Sequence, residues 1–131
     1  MRILDTDTDI EVLRGNPAVQ RKQDEVSGRI GTTIISVAEL YYGAEKSRVR
    51  DIEIGRVERF LESVDIVGLD VDAARIFGET KALLERDGQR LPDADLLIAA
   101  ICLSRSATLV TGNTGHFARI AGLAVEDWIR G

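Results

Sequence analysis

The chain has 131 residues with one cysteine, one histidine and a formal net charge of −5. That length suits one domain, residues 1–131, with a core of its own, while the lone Cys102 and His116 exclude a disulfide framework and a zinc site of ordinary composition. The acidic balance argues against indiscriminate nucleic-acid binding, although an acidic metal site contributes to it. No apolar run approaches the ~18 residues of a membrane span and no signal peptide is seen, so a cytoplasmic protein with no membrane contact is expected.

Met1, Ile3 and Leu4 form a very short apolar strand that runs straight into Asp5, Asp7 and Asp9. A strand placed first, apolar throughout and ending in acid reads as the central strand of a parallel sheet, which is buried on both faces and presents polar groups only where it ends. Three carboxylates within one turn raise one another's pKa unless something positive sits between them, and a hard divalent cation is the economical partner. The competing reading is structural: Thr6-x-x-Asp9 fits a capping box, and acids in a first helical turn suit the helix dipole.

Residues 10–14 predict a short helix ended by Gly15-Asn16-Pro17, and Pro17 opens a polar outer helix running to residues 27–28. Residues 30–35 are a β-branched run predicting a second strand, followed by a helix over 36–44 whose Ser36-x-x-Glu39 spacing also fits a capping box. Over 51–64 the apolar residues recur at three and four, an amphipathic helix. Residues 66–69 predict a strand, and Asp70 caps a helix with a core stripe of Ala73, Ile76, Phe77, Thr80, Leu83 and Leu84 that Gly88 stops. Residues 92–95 open the most apolar helix, 96–103, where Cys102 reads as core and Asp93 as an N-cap candidate. A strand over 107–111, a short helix around Phe117 and a strand over 123–125 complete an α/β pattern: a mostly parallel central sheet flanked by helices on both faces.

Ligand sites in such folds lie outside the carboxyl ends of the strands. Asp5, Glu39, Asp93 with Asp95, and Asn113 with Thr114 all fall there, so four separated segments converge on one cleft. Each has a bland alternative as a cap or turn, and His116 reads as a surface residue beside Phe117.

The whole pattern resembles the PIN-domain ribonucleases, and most closely the VapC toxins of bacterial toxin–antitoxin pairs. The likeness lies in Ile3-Leu4-Asp5-Thr6-Asp7, residues 36–44, Pro92-Asp93-Ala94-Asp95 with the apolar helix after it, residues 109–114 with Phe117, and residues 123–128. The resemblance implies that Asp5, Glu39 and Asp95 hold Mg²⁺ or Mn²⁺, that Asn113 stands where the family has a fourth acid, and that Thr6, Asp7, Asp93 and Thr111 surround them. It further implies a metal-dependent endoribonuclease, a cognate VapB-type antitoxin whose chain covers the acidic cleft, and a homodimer. Two other readings stay open: a haloacid-dehalogenase-like phosphatase using Asp5 and Asp7, which matches locally, and a non-enzymatic metal-holding α/β regulatory module.

Overall fold

The computed structural model describes residues 1–130. In chain order the elements are β1 (Arg2–Leu4), α1 (Thr6–Leu13), α2 (Pro17–Glu25), β2 (Ile30–Thr33), α3 (Ile34–Glu45), α4 (Arg50–Glu62), β3 (Asp65–Val67), α5 (Val71–Arg86), α6 (Asp93–Ser104), β4 (Thr108–Val110), α7 (Thr114–Phe117) and β5 (Val125–Glu126). The strands form one sheet in the order β3-β2-β1-β4-β5, and every neighbouring pair is parallel. The strand read as central is central.

Alternation along the short strands divides the core into two layers. Ile3 and Leu109 face Leu84, Leu96, Ile101 and Phe117 on the side of α5, α6 and α7. Leu4 and Val110 face Val19, Leu40, Phe60 and Trp128 on the side of α1 to α4. Ile3, Leu4, Leu109 and Val110 are wholly buried, each worth about 2 kcal/mol of transfer from water. Cys102 is wholly buried too, and burial pushes its thiol up to about 12, so it is core and not a nucleophile. Among the described residues no helix is long and apolar enough to cross a membrane.

Several expected boundaries and roles are corrected. The first helix begins at Thr6 rather than residue 10, because Asp5 is the N-cap and accepts from the Thr6 backbone N–H. Thr6 and Asp9 therefore form no capping box. β2 ends at Thr33, two residues earlier than expected, and the Thr33 hydroxyl accepts the Ser36 N–H at 3.1 Å, so Thr33 takes the cap assigned to Ser36. Asp93 is the first residue of α6 and no cap; it pairs with Lys81 at 2.9 Å. Leu83 is 48% exposed and leaves the core stripe of α5, since its place on the helix turns it to solvent. Asp70 caps α5 as expected, accepting from the Ala73 N–H.

Asp9 is a fully buried carboxyl with one oxygen, Oδ1, that meets no donor among the described residues. Thr32 has one hydroxyl hydrogen and two acceptors, Asp9 Oδ2 at 2.5 Å and the Leu4 carbonyl at 3.2 Å. A proton on Asp9 satisfies both, because Asp9 then donates to Thr32, which donates to Leu4. Burial drives the Asp9 pKa well above its ordinary value, in the same direction. A raised acid pKa favours the fold at low pH, and that advantage fades as pH rises past the unfolded value. Asp9→Asn is thus expected to melt at a higher temperature than the parent near pH 7 and at a similar one near pH 4, in paired thermal scans; equal midpoints at both would contradict a buried neutral acid.

Candidate active site

The parallel register places Leu4, Thr33 and Val110 at one edge of the sheet. Just beyond that edge the chain leaves each strand, and the polar residues that follow gather there. Asp5 is 6% exposed; its Oδ2 accepts the Thr111 hydroxyl at 2.7 Å and its Oδ1 the Thr6 N–H at 2.9 Å. Glu39, one turn into α3, has Oε1 bonded by the Thr6 hydroxyl at 2.7 Å, and the same hydroxyl lies 2.8 Å from Ser36 Oγ. Thr6 therefore ties the β1 end to α3. Asp7 Oδ2 accepts the Gly112 N–H at 2.9 Å, which ties the start of α1 to the loop after β4. A Cβ at residue 112 would stand 3.1 Å from that carboxylate oxygen and 2.9 Å from the end of the Ile129 side chain, so a larger residue here would have to push both aside.

Asp95 lies in the first turn of α6, and His116 Nδ1 stands 3.2 Å from its Oδ2. The Asn113 amide lies 2.8 Å from the same ring nitrogen, and the Asn113 N–H donates to the Thr111 hydroxyl at 3.0 Å. The structure thus brings Asp5, Thr6, Asp7, Glu39, Asp95, Thr111 and Asn113 to one edge. Asp93, with its exposed side chain paired to Lys81, stands apart. Ser36, Gly112 and His116 are the members that reading the sequence missed. Ser36 left a signal, its spacing from Glu39, which pointed to a cap; His116 left none, because its contact with Asp95 joins positions 21 residues apart.

The electrostatics are one-sided. Burial raises the Asp5 carboxyl to about 6, and the charges of Asp7 and Asp95 push the same way against the bonds from Thr111 and Thr6. Among the described residues neither Asp5, Asp7 nor Glu39 is paired with a lysine or arginine, and Asp95 meets only His116. A buried carboxylate among others, supplied with oxygen donors and no cation, fits a hard divalent ion. Among the described residues no three acid, histidine or cysteine side chains close into a ready cage. Beside Glu39 a groove of about 350 Å³ runs between α1, α3 and α4, with an apolar floor of Leu13, Leu40 and Val57 and the charged Arg14, Glu53 and Arg56 also lining it.

Residues 2–123 match the family model described as "PIN domain". The chain is 34% identical over 127 residues to the tRNA(fMet)-specific endonuclease VapC of Shigella flexneri, covering 96% of each protein. Among solved structures it superposes with a TM-score of 0.92 on VapBC2 from Rickettsia felis bound to a DNA fragment from its promoter, at 28% identity, over 97% of this chain and 98% of that one. DNA-bound VapBC from Salmonella typhimurium gives 0.92 at 33% identity and 97% of both chains.

Proposed function

The chain belongs to the PIN-domain family, as a VapC-type ribonuclease of a toxin–antitoxin system, and from that premise we propose that residues 1–131 form one catalytic domain whose metal is held by Asp5, Asp95 and Glu39. Neither the phosphatase nor the regulatory-module reading finds support.

The observation that carries the metal reading is Asp5: a buried carboxylate in the field of Asp7 and Asp95 with no cation beside it. When bound, Mg²⁺ or Mn²⁺ supplies an activated water and charge stabilisation on the phosphoryl oxygens of RNA. The protein's part is placement. Thr111 and the Thr6 N–H fix both oxygens of Asp5, the Thr6 hydroxyl fixes Glu39, and Asn113 stands beside His116 facing Asp95. The Asp7 bond to Gly112 holds the loop that carries Asn113 against α1.

The partner on this reading is a VapB-type antitoxin. The groove beside Glu39, part apolar and part charged, would take an amphipathic segment of its chain, and the unpaired carboxylates would take an arginine, whose planar fork suits them. The same reading has the protein act as a homodimer in the cytoplasm.

Cleavage of total RNA, followed by sequencing of the new ends, tests the activity. Cutting at defined sites is expected with Mg²⁺ or Mn²⁺, loss with EDTA, and recovery when the ion is restored. Cleavage that persists in EDTA would remove the metal from the mechanism. Expression of the chain alone should slow bacterial growth, and co-expression of its antitoxin should restore it.

A further inference from the structure

The acids at the sheet edge are not held alike. Asp5 is fixed by a buried hydroxyl and a backbone N–H, and Glu39 by the Thr6 hydroxyl. Asp95 has one hydrogen-bonding side chain among the described residues, His116, with Nδ1 at 3.2 Å from Oδ2. That same nitrogen stands 2.8 Å from Asn113 Nδ2. One ring nitrogen meeting both a carboxylate and an amide limits the arrangement. An ionised carboxylate only accepts, so a bond to Asp95 puts the hydrogen on Nδ1, and the Asn113 amide then turns over to present its oxygen in place of Nδ2 to the same ring nitrogen. Asn113 is itself anchored, through its N–H, to the Thr111 hydroxyl that donates to Asp5. A line of contacts therefore runs from Asp5 through Thr111, Asn113 and His116 to Asp95, joining two carboxylates carried by β1 and α6.

We propose that His116 is a positioning residue for the metal site: its Nδ1–H aims the Asp95 carboxylate, and Asn113 fixes the ring. This rests on Asp95 being a metal ligand. Side chains that orient ligating carboxylates commonly govern metal affinity by about tenfold to a hundredfold. His116 does not touch the reacting atoms in this role; it sets where one oxygen ligand points. Its side chain is 39% exposed, so replacing it leaves the core intact.

The test is Mn²⁺ affinity of the RNA-free protein, read by electron paramagnetic resonance, with the metal-free melting temperature measured alongside. His116→Phe keeps the ring shape and removes the donor; it should bind Mn²⁺ about tenfold more weakly at an unchanged melting temperature. His116→Asn places an amide N–H near the position of Nδ1 and should stay within about threefold of the parent. Asn113→Ala, which frees the ring, should weaken binding in the same direction and serves if His116→Phe lowers the melting temperature. Parent-like affinity in His116→Phe, or in Asn113→Ala where that variant stands in, overturns the proposal. So does a His116→Asn loss as large as that of His116→Phe, because the ring and not the donor would then matter. Asp95→Asn separates the two layers of the argument. If it binds Mn²⁺ like the parent, Asp95 is no ligand and both readings fall; if it loses Mn²⁺ while His116→Phe does not, only the role of His116 falls.

Discussion

Asp95→Asn is expected to cleave RNA roughly a thousandfold more slowly than the parent at saturating Mg²⁺, the equivalent of about 4 kcal/mol of transition-state stabilisation. The substitution keeps shape and removes the charge that draws the ion toward α6. Asp95 lies in the first helical turn with a half-shielded side chain, so the fold should tolerate the amide. Glu39→Gln should behave in the same way. Its present partner is the Thr6 hydroxyl at 2.7 Å, which an amide oxygen accepts equally well, so stability should be level while activity falls. Because Thr33 and not Ser36 caps α3, a structural role for Glu39 at the helix start is already excluded by geometry. Initial rates on a defined RNA check both variants, and parent-like rates in either would remove that residue from the site.

Asp5→Asn should make the metal-free protein more stable at neutral pH by about 3 kcal/mol while abolishing cleavage. The sign follows from the carboxyl being raised from 3.8 to about 6 in the fold. Below pH 3.8 both folded and unfolded chains hold the proton and the group contributes nothing. Between there and pH 6 the unfolded chain ionises first, and above pH 6 the full cost of a buried charge is present. Asparagine removes that cost, and the Thr6 N–H still finds a carbonyl oxygen at the N-cap. Denaturant titrations should therefore show a wide gap between variant and parent near pH 7.5 and little gap near pH 4. Added Mg²⁺ should narrow the gap at the higher pH by stabilising the parent alone. A gap independent of both pH and metal would mean that Asp5 is not strained by its surroundings.

The sheet was legible because its signals are local. β1 is apolar and placed before the acids, and the period of α4 to α6 gives helices whose ends fall within a few residues of expectation. The caps were not legible, because the spacing S/T-x-x-E carries no information about where the preceding strand stops. Thr33 and Ser36 are both plausible caps in sequence; the register with β3 ends the strand at Thr33 and decides between them. Asp9 was misread for a related reason. A carboxyl in an early helical turn is ordinarily solvated, and only the packing of α1 across β2 carries it to Thr32 and out of water. His116 depended on the placement of a four-residue helix against α6, a contact between positions 21 residues apart that no short-range pattern encodes. That the acids gather was legible for Asp5, which follows β1, and Asp95, in the first turn of α6, whereas Glu39 lies deeper in α3 than its expected place at the helix start.

The bond from Thr111 to Asp5 spans 106 positions, and β1 has its second neighbour only when β4 arrives. Asp5, Glu39 and Asp95 all leave the ribosome before the strand and the hydroxyl that seat the first of them. At a synthesis rate of about 5–20 residues per second, the growing polypeptide passes about one to three seconds with all three acids made and Thr111 still to come. Parallel pairing across such a distance adds a further delay after release. The seat of Asp5 is therefore one of the last parts of the fold that synthesis makes possible.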